Sequence, residues 1–343
     1  MTSQIDFARL ARLIRRIGAR SLAATRNVAT RGVQRKKIQR IRNIIEALPD
    51  TLPYLGPDLI MGCACGYQID SVRPFVESLF DSGQFRGEAV IFVGAEDKAL
   101  AAFLESIGVK VFSLGIEKNY PVFPPKRARY FAYFKYLHDA IQSGRTYRNI
   151  LLSDVRDVIF QRPLFETPAS ELELYYELRS VTIGTCQFNS YWINEQFGKQ
   201  ALASLADRRI SCCGTVSGRA RGILEYLAEM QIILLTLLPK VRMTNGDQGA
   251  HNYLLHNGLL PEAKVLENFG RVATLHHVPS KHLHVNAAGH VINPDGSISE
   301  IVHQYDRHPH LFSAIQKSFN VKLERLKLER PFSNFMAPNY GGR

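Results

Sequence analysis

Four short segments carry residues whose types and spacing could do chemistry. The first is Asp154-Val155-Arg156-Asp157, where the apolar run from Asn149 to Ser153 meets two carboxylates. Carboxylates at the carboxyl end of a strand suit a hard divalent cation, which prefers oxygen ligands and bridges them to phosphate oxygens. The plainer use is Asp154 capping a turn and Asp157 paired with Arg156 or another base. The second segment, Ile210 to Val216, holds Cys212, Cys213 and Gly214. Small residues there would let a ligand approach the backbone closely. The third, Thr244 to Asn252, is polar at the start of an apolar helix; Asp247 and Gln248 lead it, with Asp247 or Asn245 as the alternative N-cap. The fourth, Ile301-Val302-His303, sets a histidine at the end of a strand. That histidine is either a ligand or, as most lone histidines are, a structural group.

These segments need a scaffold that brings them together. Leu59 to Ala64 reads as a short apolar strand, Ser71 to Phe80 as a helix, and Glu88 to Val93 as a β-branched strand. Asp97 to Ser106 reads as a helix closed by Gly108, and Val109 to Leu114 as a third strand. Strand alternating with helix implies a parallel sheet with right-handed crossovers. In such sheets ligands sit at the carboxyl ends of the strands, where Tyr67, Gly94 and Asp97 fall. Helices are expected over 127–142, carrying Arg127, Arg129 and many aromatics, over 218–237, and over 247–256. Lys281 to His303 reads as short strands joined by turns at Ala288-Gly289 and Asn293 to Gly296.

The net charge of +12 is concentrated in one place. Residues 1–48 hold twelve Lys or Arg against two acids, and the rest of the chain is close to neutral. Residues 5–20 read as an amphipathic helix, and Ile38, Ile41, Ile45 and Leu48 repeat the helical spacing. This basic extension is expected to dock on the body, to lie on an anionic membrane surface, or to serve as an Arg-rich, acid-poor targeting peptide. No aromatic or base-reading pattern accompanies it, so no specific nucleic-acid partner is expected. The longest apolar runs fall far short of the ~20 residues a membrane helix needs. No secretory signal is visible in the first 30 residues. Five cysteines with no zinc-knuckle spacing read as reduced thiols. The expected location is therefore cytoplasmic, peripheral to a membrane at most. The expected divisions are a basic helical extension at 1–48, an α/β domain at 58–312, and a C-terminal helix with a loose tail at 313–343.

Taken in this order, the four segments resemble the nucleotide-sugar glycosyltransferases of the GT-A fold, nearest to the glycogenin-like galactosyltransferase type. The likeness runs over roughly residues 58–310. That family has an apolar strand ending in Asp-x-Asp, an Asn-Ser-Gly strand, a helix starting Asp-Gln, and a late metal-binding His. The corresponding pieces here are Asp154 to Asp157, Cys212-Cys213-Gly214, Asp247-Gln248 and His303. The chain departs from the pattern in having Asp-x-x-Asp, Cys-Cys for Asn-Ser, and no Gly-x-x-Lys-Pro-Trp after His303.

The resemblance implies a Rossmann-like, mostly parallel sheet flanked by helices. It implies metal-dependent transfer of a sugar from a nucleotide-diphosphate donor to a hydroxyl acceptor such as a glycan, lipid or protein. Asp154, Asp157 and His303 would hold Mn²⁺ or Mg²⁺. Tyr67 would stack on the base, Asp97 would accept from the base or ribose, and Arg129 would pair with a phosphate. Gly214 would admit the sugar, and Asp247 and Gln248 would form the catalytic pair. The Cys-Cys pair motivates an alternative, a degenerate domain that binds a glycan or nucleotide without turnover. Nucleotidyl transfer fits less well, because Cys63 to Tyr67 lacks the cation of a phosphate-cradling loop.

Overall fold

A computed structural model describes residues 31–49, 51–114, 124–237 and 246–320. The protein is α/β. A central sheet of seven strands has the order β3-β2-β1-β4-β7-β6-β8. The strands are β1 (Leu59–Cys63), β2 (Glu88–Val93), β3 (Lys110–Ser113), β4 (Ile150–Ser153), β6 (Leu172–Tyr176), β7 (Ser211–Gly218) and β8 (Ala263–Leu266). All run parallel except β7, which is antiparallel to both β4 and β6. The central strands read as unbroken apolar runs because both faces are covered. Leu59 and Met61 face one core with Leu152 and Val216, while Ile60 faces the other with Ile91 and Leu151.

The first core lies beneath α1 (Arg31–Ala47), α4 (Pro125–Gln142), α7 (Ala220–Thr236) and α8 (Gly246–His256). The second lies beneath α2 (Ile69–Phe80) and α3 (Lys98–Ser106). A small three-stranded sheet sets β12 (Ile301–His303) between β5 (Val158–Phe160) and β9 (Val272–Thr274). Helices α5 (Gln187–Phe197) and α6 (Lys199–Leu205) form a lobe on the far side of β7, and β10 (His284–Val285) pairs with β11 (Val291–Ile292) as a hairpin.

The expected elements up to residue 114 recur with ends shifted by two residues at most. The apolar run around Asp154 differs more. It breaks at residues 154–157, so β4 stays in the main sheet and β5 joins the small one. The break sets both carboxylates in the connection between two sheets.

The expected divisions also move. Ile41, Ile45 and Leu48 are buried at 4–6% exposure against α7 and the main core, so α1 is part of the body. At the other end, α9 (Pro309–Ser318) crosses the expected boundary after residue 312 and buries Leu311 and Ile315 beside Tyr305. The helix expected over 5–20 and the tail beyond 320 lie outside the described residues. No helix among the described residues is long and apolar enough to cross a membrane.

Candidate functional site

Strand register builds the site. Ser153 pairs with Thr215, which places Gly214 beside Asp154, and the Asp154 N–H donates to the Gly214 carbonyl at 2.7 Å. In the small sheet His303 pairs with Val158, and the Gln304 N–H donates to the Asp157 carbonyl at 2.7 Å. Residues 154, 157, 214 and 303 thereby meet at the end of the main sheet where the parallel strands finish.

His303 is 1% exposed, and its Nε2 lies 3.6 Å from Asp154 Oδ2 and 3.8 Å from Asp157 Oδ1. It has no hydrogen-bond partner there. One ligand atom from each residue falls within 4.8 Å of the others. Ligands about 2.1 Å from an ion and about 90° to 120° apart lie about 3 to 3.6 Å from one another. An orphaned buried nitrogen facing two carboxylates at near this spacing therefore fits a divalent cation. Gly214 completes the cradle: a Cβ there would stand 2.3 Å from His303 Cε1 and 2.7 Å from Asp154 Oδ2. The other ring nitrogen, Nδ1, is 3.7 Å from the buried Cys212 thiol.

Arg129 was expected on a phosphate, but the structure gives it other partners. It is 7% exposed; its Nη1 pairs with Asp154 and its Nη2 with Asp247 Oδ2 at 3.0 Å. Two acids from distant segments are so tied to one cation. Burial would raise the Asp154 carboxyl, but Arg129 and His303 hold it well below the usual carboxylate range. Burial would lower His303, yet the two carboxylates raise it above an ordinary imidazole. Burial pushes the Cys212 and Cys213 thiols up, so both stay neutral.

The remaining expected residues fall into two groups. Asp247 is 4% exposed in the first turn of α8 and joins the site through Arg129. Gln248 is engaged with protein: its Oε1 accepts from the Cys213 N–H at 2.9 Å, and its Nε2 donates to the Ser211 carbonyl at 2.9 Å. It positions the start of β7 rather than facing a reactant. Asp97 Oδ2 accepts from the N–H groups of Gly66 and Gly94 at 2.7 and 2.8 Å. It ties together the ends of β1 and β2, with half-buried Tyr67 in the same loop. These two stand at the β1–β2 side, separated from the triad by the width of a strand.

Sequence reasoning offered Arg156 as a partner of Asp157 but missed the rest of a second layer, Arg307, Asp306 and Glu177. Arg156 and Arg307 approach Asp157 Oδ2 at 3.8 and 3.7 Å, and both pair with Asp306. Glu177, just past β6, is 5% exposed, and burial pushes its carboxyl up to about 7. The signal for Glu177 was the one used for Asp154, an acid where an apolar strand ends. Arg307 lies four residues past His303 in sequence.

No family model matches the sequence, and no curated protein does. The chemistry of this site is therefore argued from its geometry. Two carboxylates and an imidazole converge on one point, flanked by fixed cations and approached through a glycine. That arrangement can hold a cation and, through it, an anionic ligand.

Proposed function

We propose that the protein is a metal-dependent glycosyltransferase with a GT-A-like fold, moving a sugar from a nucleotide-diphosphate donor to a hydroxyl acceptor. One observation carries this reading. The four segments that resemble that family, at 154–157, 212–214, 247–248 and 303, are far apart in sequence and meet at one end of the sheet. A set of structural caps and pairs would have no reason to converge.

In this reading Asp154, Asp157 and His303 hold the ion. Two carboxylates and an imidazole suit Mn²⁺ better than Mg²⁺, which is usually bound through carboxylates and water. When bound, the ion stabilises the charge that develops on the departing nucleoside diphosphate. Arg129 holds the Asp154 and Asp247 carboxylates in place and keeps Asp154 ionised. Gly214 leaves room for the sugar, and the Asp247 carboxylate retains acceptor capacity for its hydroxyls. Tyr67 and Asp97, in the loops after β1 and β2, would meet the base and ribose. The anomeric C–O bond to the diphosphate breaks, the acceptor oxygen bonds to the anomeric carbon, and the acceptor's proton passes to the departing diphosphate. The exposed basic side chains of α1, Arg35, Lys36 and Arg40, would hold the enzyme to an anionic membrane surface.

A binding role without turnover is the second reading. The engagement of Asp247 by Arg129 and of Gln248 by β7 favours it. Thermal unfolding against a panel of nucleoside diphosphates and their sugars, with and without Mn²⁺, tests the site. A native-state ligand raises the melting point by mass action. A Mn²⁺-dependent rise with one nucleotide, lost in Asp157→Asn and His303→Ala, is expected. Release of that nucleoside diphosphate from its sugar separates transferase from binder. No rise with any nucleotide would sink the transferase reading and leave, of the second, only a glycan-binding role.

A further inference from the structure

Two thiols at the end of β1 have no part in the chemistry proposed above. Cys63 is the last residue of β1, and Cys65 stands in the turn that follows, with only Ala64 between them. Their sulfurs lie 3.7 Å apart, the Cys65 S–H donating to Cys63 Sγ. Both residues are half-buried, within reach of a small reagent, whereas Cys186 and Cys212 are buried. The thiolate is the form that reacts with oxidants. The bond from Cys65, helped by the Arg129 guanidinium, lowers the Cys63 thiol although burial opposes it. Cys65, the donor of that bond, is held up, and burial raises Cys212 and Cys213. An accessible thiol of lowered pKa beside a second thiol is the arrangement of an oxidation-sensitive cysteine and its resolving partner.

The two residues differ in freedom. Cys63 is held in the sheet opposite Phe92 of β2. Cys65 sits in a turn closed by the Tyr67 N–H on the Ala64 carbonyl at 3.2 Å, with Gly66 at a φ of 75°. Bonded sulfurs stand at about 2.05 Å, so the turn, not the strand, must supply the movement. The Gly66 N–H is 2.7 Å from the Asp97 carboxylate, which also accepts from the Gly94 N–H. Drawing Cys65 onto Cys63 pulls Gly66 off Asp97 and carries Tyr67 with it. We propose that Cys63 and Cys65 form a dithiol that a peroxide oxidises to a disulfide, and that this bond releases Gly66 from Asp97 and reshapes the loop bearing Tyr67. Resting on the glycosyltransferase reading, that loop meets the donor nucleotide, so oxidation turns donor binding down.

The chemistry balances. The Cys63 thiolate attacks one peroxide oxygen; the S–O bond forms, the O–O bond breaks, and the hydroxide that leaves takes up a proton as water. Cys65 sulfur then attacks the Cys63 sulfenic acid. The S–S bond forms, the S–O bond breaks, and the departing hydroxide leaves as water with the Cys65 proton. The two thiols are oxidised and the peroxide is reduced. A disulfide across a single intervening residue distorts its backbone, and strained, accessible disulfides are the readily reduced ones.

The test treats the full-length protein with hydrogen peroxide, alkylates the thiols that remain, and weighs the peptide holding both residues. A peptide lighter by two hydrogens, carrying no alkyl group and restored by dithiothreitol, is expected. Cys65→Ser should stop at a sulfenic acid on Cys63 that dimedone captures. Hydrogen exchange at the Gly66 amide should quicken on oxidation of the wild type and stay unchanged in Cys65→Ser. Alkylation of both thiols after peroxide that oxidises glutathione in parallel overturns the site, as does Cys63 joined to any other cysteine. A disulfide with unaltered exchange at Gly66 overturns the release of the loop. The melting-point rise that a nucleoside diphosphate gives the reduced protein should be lost in the oxidised form and return with dithiothreitol. An undiminished rise in the oxidised form overturns the control of donor binding. Failure of every nucleotide to bind the reduced protein overturns the glycosyltransferase reading, while the peptide mass and Gly66 exchange still decide the disulfide.

Discussion

Arg129 Nη2 lies 3.0 Å from Asp247 Oδ2, although 118 residues separate the two in sequence. The same guanidinium pairs with Asp154 through Nη1, so one buried cation fixes an acid of the candidate metal centre and an acid of α8. Removing one member of a buried ion pair leaves a buried charge uncompensated, which costs about 3–5 kcal/mol. Arg129→Met should lower stability by that order. The pH dependence gives a sharper test. In the wild type the Asp154 carboxyl is held below its ordinary value, so its stabilising contribution is full above the usual carboxylate range and is lost as pH falls. In Arg129→Met the Asp154 carboxyl protonates more readily, so the gap from wild type should narrow between pH 7 and pH 4. Urea midpoints across that range measure it. A pH-independent gap would mean that packing, not charge, sets the loss.

Gly214 is the second point of leverage. Its missing side chain is the space that the His303 ring and the Asp154 carboxylate require, at 2.3 and 2.7 Å from an added Cβ. Gly214→Ala should push His303 off the carboxylates and cost about 1–3 kcal/mol through overpacking. Its Mn²⁺-dependent thermal stabilisation should fall sharply. If the alanine variant keeps the wild-type Mn²⁺ response, the ion binds elsewhere.

These two relationships mark what the sequence could and could not tell. Helices and strands of the first half are legible because burial imposes a local period: Leu59 and Met61 to one face, Ile60 to the other. The acids at 154 and 157, Gly214, and His303 stand out by residue type. Their meeting depends on pairing, which no local pattern encodes. Nothing in Ser211–Gly218 announces a strand running against its neighbours, and nothing in Ile301–His303 names Val158 as its partner. The resemblance gave Arg129 a phosphate; its pairing with Asp154 and Asp247 was not legible because both acids are remote in sequence. Gln248 looked catalytic because its contacts to Ser211 and Cys213 depend on where β7 lies.

The basic extension gives a separable prediction. Because Ile41, Ile45 and Leu48 are buried in the body, α1 can offer a membrane only its charged face. Truncation would expose core, so charge removal is the cleaner change. Arg35, Lys36 and Arg40 are exposed. Replacing all three with Gln should weaken binding to phosphatidylserine vesicles by about a hundredfold, at about 1 kcal/mol per basic residue. Stability should stay within about 0.5 kcal/mol, as for ordinary surface changes. Equal vesicle co-sedimentation of variant and wild type would remove α1 from any membrane role.

His251 supplies the last test, at the contact between α8 and β7. Its Nε2 lies 2.9 Å from Ser211 Oγ and its Nδ1 lies 3.0 Å from the Tyr226 hydroxyl. The residue is fully buried, and burial lowers its pKa to about 3. The folded state thus keeps the imidazole neutral, while the unfolded chain protonates it near 6.5. A group with a depressed histidine pKa contributes its stability above the unfolded value and loses it as pH falls toward the folded one. Between pH 6.5 and 3 the unfolded chain binds one more proton at this site. That proton alone removes up to about 1.4 kcal/mol per pH unit. His251→Gln should be less stable at pH 7.5 by about 1–3 kcal/mol, because the polar partners Ser211 and Tyr226 are left poorly matched. Below pH 6.5 its stability should decline less steeply than that of the wild type, and the two curves should converge. Urea midpoints at pH 7.5, 6 and 5 decide the matter, and parallel curves would show that His251 takes up its proton in the folded protein as readily as in the unfolded chain.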